Sequence, residues 1–174
     1  MSDQNQLPPA QTLRQLAFVM RASRAIYAGT QLGVADILAA GPMSSREIAA
    51  RTGTDARTMC RLLRALVAHG VFEEQAPDLF RLNPAGELLR SDVPGSQRAA
   101  VLFTAGDLRW QLWSDFLESI RSGQAVTERA FGKNIFERHA ENAEESALFN
   151  QAMTSYSAAP VSYTHLTLPT IYSV

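Results

Sequence analysis

The stretch from Ser44 to Glu74, SSREIAARTGTDARTMCRLLRALVAHGVFEE, constrains the fold more than any other part of the chain. Ser44 or Ser45 caps a short helix that stops at Gly53, and Thr54 or Asp55 caps a second that stops at Gly70. A hydroxyl or carboxylate ahead of an apolar-periodic run accepts from the first free backbone amides, and a glycine behind it permits a left-handed exit. In the second helix Met59, Leu62, Leu63, Leu66 and Val67 recur at intervals of three and four, which makes one buried stripe. GVFEE and LFRLN then flank QAPD as the arms of a hairpin. Two capped helices, a tight turn and a hairpin form a winged helix-turn-helix.

Around this unit the pattern is helical, so the expected class is mainly α, with a small β-hairpin and additional long helices. Residues 1–11, MSDQNQLPPAQ, read as a disordered leader, and residues 12–92 as the winged-helix domain. The helix beginning at Thr12 carries Leu13, Leu16, Phe18, Val19, Met20, Ile26 and Tyr27 on more than one face. Such a helix needs cover on two sides, and a partner subunit can supply the second. VADILAAG is a short helix closed by Gly41 and Pro42, and Asn83 with Pro84 starts another. Residues 93–160 read as a helical region: a long apolar series from Leu102 to Ile120, a loop with one short helix around AFGKN, and a last helix through FNQAM that Pro160 ends. Residues 161–174, VSYTHLTLPTIYSV, contain no charged side chain and resemble a translated sequencing adapter, so a non-native tail is expected there.

A winged helix raises the question of DNA. Arg57, Arg61 and Arg64 share one face of the second helix, where a reading helix would place them. Against this, Ser44 to Arg90 holds seven Arg and six acids, a net of +1, and the whole chain balances 16 basic against 17 acidic residues. Glu73, Glu74 and Asp78 sit on the wing itself. Phosphate neutralisation supplies most non-specific affinity, and this element lacks the charge for it. A winged-helix transcriptional regulator therefore stands as the alternative, and a free-standing dimerising adaptor as a third reading. No run approaches a membrane span, the N-terminus has no signal-peptide pattern, and Cys60 is the single cysteine, so a cytoplasmic protein is expected. The three histidines show no metal-ligand spacing.

Taken in order, LGVADIL, EIAARTG, RLLRALVAHGVFEE, FRLNPAGELL, AFG and FNQAM resemble the N-terminal region of plant-type and bacterial small-molecule O-methyltransferases, over about residues 13 to 160. The resemblance implies a winged helix that pairs subunits into a homodimer through the N-terminal helices, makes no contact with nucleic acid, and forms one wall of a pocket for a small aromatic or polyketide-like hydroxyl acceptor. It implies that Phe149 and Met153 flank the acceptor ring, that Ala130 and Asn134 line the pocket, and that Trp113 lies nearby in a packing role. Glu145 stands where some relatives carry a second aromatic, which argues against a two-aromatic clamp. S-adenosylmethionine is the cofactor of the intact enzyme, held on a Rossmann-like domain by a glycine-rich turn. No such domain is expected within this chain, because its ten glycines are isolated and none makes a GxG. No catalytic, cofactor-binding or metal-binding residue is expected either. His69 and His139 are read as ordinary helix residues, and the chain alone is not expected to turn over.

Overall fold

A computed structural model of the chain describes residues 8–158. The expected tail at 161–174 and most of the expected leader lie outside these residues. The first helix, α1, spans Pro9–Gln31, three residues earlier than Thr12, with Pro9 at its first position. Proline is favoured there because its missing N–H would have had no intrahelical partner. The short helix α2 (Val34–Leu38) follows Gly33.

The winged-helix unit forms as its caps dictate. A two-residue strand, β1 (Met43–Ser44), leads into α3 (Ser45–Thr52). Ser44 accepts from the Glu47 amide and the Glu47 carboxylate accepts from the Ser44 amide, a reciprocal capping box. Gly53, at φ 65°, turns the chain out of α3 in the left-handed conformation. Asp55 caps α4 (Ala56–Ala68) by accepting from Thr58, and His69 closes it. The hairpin of β2 (Phe72–Ala76) and β3 (Leu79–Leu82) gains β1 on its other edge, giving an antiparallel sheet in the order β1-β3-β2. A hairpin of two strands was expected; β1 escapes a local reading because its partners, Phe80 and Leu79, lie more than thirty residues away in sequence. Asn83 then caps α5 (Pro84–Glu87) by accepting from Gly86.

The core lies between these elements. Val34, Ile48, Met59, Leu63, Leu66 and Phe80 have essentially no exposed surface. Leu63, Leu66 and Met59 are the inward residues of the α4 stripe, whereas Leu62 and Val67 pack at its margin. Burying side chains of this size contributes about 1.5–3 kcal/mol each. Helix α1 docks on α4 where Gly29 meets Leu66, and a Cβ built on Gly29 would stand 2.8 Å from Leu66 Cδ1.

The second half departs from the expected long helix. It divides into α6 (Arg98–Ala105), α7 (Asp107–Ser114) and α8 (Phe116–Ser122). Gly106 adopts an extended conformation between α6 and α7, and Asp115 separates α7 from α8. Beyond Gly123 come α9 (Val126–Phe131) and α10 (Ile135–Glu141), two helices where one was expected, and then α11 (Ala143–Ala158). Among the described residues no helix is long and apolar enough to cross a membrane.

Candidate functional site

Helix α11 lies along α6, and buried Ala152 and Ala100 allow the two to approach closely. Polar links set their register. Ser155 donates its hydroxyl to the Ser96 carbonyl at 2.9 Å, and the Gln97 amide group donates to the Ser155 carbonyl at 3.3 Å. This docking brings Phe103 of α6 and Phe149 of α11 to a centroid separation of 5.5 Å. His139 of α10 completes the group, stacked on Phe149 at 5.1 Å and 19° and lying 6.2 Å from Phe103. Phe103 and His139 line one end of a cleft of about 580 Å³ between α1, α6, α7, α10 and α11, and Phe149 packs against both of these rings.

The charges around the cleft divide into paired and unpaired groups. Arg24 donates to Asp107 at 2.7 Å and to the Ala105 carbonyl at 2.9 Å, pinning α1 to the α6–α7 junction. Tyr27 also donates to Asp107, and burial with the adjacent carboxylate raises its phenol above the usual value. Arg138 forks onto both oxygens of Glu145, at 2.7 and 3.0 Å. Two other arginines on the cleft wall, Arg98 and Arg109, have no ion-pair partner among the described residues. Arg109 rests its guanidinium 4.2 Å above the Phe103 ring, and burial lowers its pKa.

Buried polar atoms nearly always find a hydrogen-bond partner, so exceptions are informative. Here Nη1 of Arg98 and both ring nitrogens of His139 are buried with none among the described residues. His139 is 6% exposed, and Nδ1 stands 3.9 Å from the Glu145 carboxylate. Burial, reinforced by the Arg109 charge, holds its pKa below the ordinary histidine range despite Glu145. The ring is therefore neutral near pH 7, with one N–H to donate and one nitrogen to accept.

The residues expected in the pocket are dispersed. Phe149 is in the ring cluster. Met153, one turn along α11, is 37% exposed and lies off the cleft wall. Trp113 is on α7, 64% exposed, with its edge against the Phe116 ring at 5.1 Å. It lines a second recess of about 420 Å³ that shares Phe103 and Arg109 with the first. Ala130 is half-buried on α9 and lines neither recess. Asn134 caps α10, its side-chain oxygen accepting from Phe136 and Glu137. His139, Arg98, Arg109 and Phe103 also line the cleft and are not among the residues expected there, His139 being read from the sequence as an ordinary helix residue. His139 is buried and packs against the Phe103 and Phe149 rings.

On the winged-helix face the arginines are partly occupied. Arg64 binds the Glu74 carboxylate through Nε and Nη2, at 2.9 Å for the shortest contact, and this lowers the Glu74 pKa. Arg81 pairs with Glu73 at 2.7 Å, and Asp78 accepts from the Ser45 amide. The wing's acids thus bind the helices and strands of their own domain.

Comparison with known proteins gives a consistent result. The family model described as the O-methyltransferase dimerisation domain matches residues 14–92. O-methyltransferase SfmM3 of Streptomyces lavendulae is 39% identical over 140 residues, covering 80% of this chain and 42% of that protein. Phenazine O-methyltransferase PhzM of Lysobacter antibioticus is 32% identical over 151 residues, covering 87% and 44%. The crystal structure of LaPhzM superposes with a TM-score of 0.81 at 32% identity, over 87% of this chain and 45% of that one. The chain thus spans less than half the length of these relatives. Residues 14–92 are thus similar to the O-methyltransferase dimerisation-domain family.

Proposed function

We propose that the chain supplies the subunit-pairing and acceptor-pocket portion of an S-adenosylmethionine-dependent O-methyltransferase, acting in the cytoplasm on a small aromatic or polyketide-like hydroxyl compound. On this reading residues 12–92 pair two subunits, residues 93–160 wall off the acceptor, and residues 161–174 play no part. The observation that carries the pairing is α1. Its Leu13, Leu16 and Val19 are each at least 65% exposed although the core beneath the helix is complete. A contiguous apolar stripe on a helix is matched most economically by the same stripe on a second copy. Phe103 and His139 on the cleft wall support a planar acceptor.

The residues present do not suit the cofactor itself. The described sheet is a small antiparallel one, with no parallel strand leading through a glycine turn into a helix, so no methyl-transfer step is assigned to them. Nucleic acid is not a ligand on this reading, because the wing's acids and Arg64 neutralise each other. Sedimentation equilibrium of the purified chain tests the pairing. A dimer that dissociates only on dilution is expected, and a monomer at every concentration would overturn it.

A further inference from the structure

We infer that a recess on the winged-helix face, between the first turns of α3 and α4 and the turn of the wing, binds a compact phosphate ester or diphosphate through Arg46, Arg57 and Arg61. The site is separate from the acceptor cleft and does not depend on it. The recess holds about 500 Å³ and is lined by Arg46 of α3, by Arg57, Arg61 and Arg64 of α4, and by Ser45 and Asp78. Arg57, Arg61 and Arg64 follow at intervals of four and three, so their side chains share one face of α4. Arg64 already binds Glu74, and the Asp78 carboxylate accepts from the Ser45 amide. Arg46, Arg57 and Arg61 have no ion-pair partner among the described residues.

Ser45 carries a second sign of an occupant. It is 4% exposed, and its hydroxyl has no hydrogen-bond partner among the described residues. A buried hydroxyl normally finds one. A phosphate oxygen accepts from it while the guanidiniums, each a fork of N–H donors, take the remaining oxygens. Ser45 and Arg46 open α3, and Ala56 and Arg57 open α4, so the positive ends of both helix dipoles add to the same field. The unpaired charge is confined to this spot, because Asp55 heads α4 and Glu74 and Asp78 stand on the wing side. A nucleic-acid strand runs past such a patch in both directions and meets those carboxylates, whereas a ligand with its charge on one or two phosphorus centres does not. The volume leaves room beside the phosphate for the organic part of an ester.

Calorimetric titration of the purified chain with inorganic diphosphate, at an ionic strength held constant with sodium chloride, tests this directly. One site per chain is expected. Arg57→Gln and Arg61→Gln should each weaken binding at least tenfold, the order of magnitude of one charge-assisted hydrogen bond. Arg51→Gln, at an exposed arginine of α3 outside the recess, should bind as the parent does. Cys60, the single cysteine, also lines the recess and reports its occupancy. Diphosphate should slow the reaction of Cys60 with the uncharged reagent 4,4′-dithiodipyridine, half-maximally at the concentration found by calorimetry. Absence of both heat and protection would overturn the site, and so would an equal loss of binding in all three variants. Heat without protection of Cys60 would place the anion elsewhere and overturn the assignment. Sulfate binding as tightly as diphosphate would overturn recognition of phosphate, and a DNA duplex that displaces diphosphate at equal phosphate concentration would overturn the compact ligand. If a glutamine variant fails to fold, the sulfate comparison and Cys60 protection on the unsubstituted chain decide the question.

Discussion

Leu16→Ala on α1 separates a pairing surface from a structural one. Leu16 is 69% exposed in the single chain, so truncating it removes few intramolecular contacts and should shift the melting temperature of the monomer by no more than a typical surface change. In a dimer the same side chain is covered. Full burial of a leucine is worth about 1.5–3 kcal/mol, so the exposed two-thirds contributes about 1–2 kcal/mol. A twofold interface contains the residue twice, which brings the loss to about 2–4 kcal/mol, or roughly 30- to 1,000-fold in dissociation constant. Sedimentation equilibrium over a dilution series reads the dissociation constant, and calorimetric melting at a concentration where both proteins are monomeric reads the fold. An unchanged dissociation constant would refute the reasoning. So would a monomer melting well below the parent, which would mean that Leu16 is part of the core.

Three further outcomes are expected. Phe80→Ala, at a fully buried position on the central strand, should cost about 3–5 kcal/mol in urea denaturation; a loss under 1 kcal/mol would contradict its place in the core. His139 has a pKa lowered in the fold, so the unfolded chain takes up its proton first as pH falls; stability should decline from neutral pH through about 6.5, the ordinary histidine value, and His139→Leu should flatten that decline in pH-dependent melting. The chain should give no salt-dependent shift of a DNA duplex at physiological ionic strength, and a shift abolished by Arg61→Glu would restore the regulator reading.

The parts of the fold legible in the sequence are those decided by neighbours in the chain. The caps at Ser44, Asp55 and Asn83 and the exit at Gly53 each depend on a partner within four residues, and each forms where local chemistry puts it. What depended on distant partners was hidden. Strand β1 exists only because β3 returns beside it. The break at Gly106 had a local sign, a glycine followed by an aspartate, but the surrounding apolar series masked it. At the candidate site Phe149 was readable through FNQAM, whereas His139 lies ten residues earlier in a charged segment and acquires its significance only when α10 folds back on α11. Asn134 illustrates the converse: a polar residue beside a pocket motif whose oxygen is engaged by its own helix. Glu145, read only as a missing aromatic, instead anchors Arg138.

Gly29 has a mechanical consequence. Leu13 on α1 lies about 24 Å along the helix from the point where the glycine meets Leu66, at 1.5 Å per residue. Together with the Arg24–Asp107 pair, the glycine contact clamps the C-terminal end of α1, so a small tilt at the clamp swings the exposed tip several times farther. The proposed pairing through α1 thus takes its angle from that clamp.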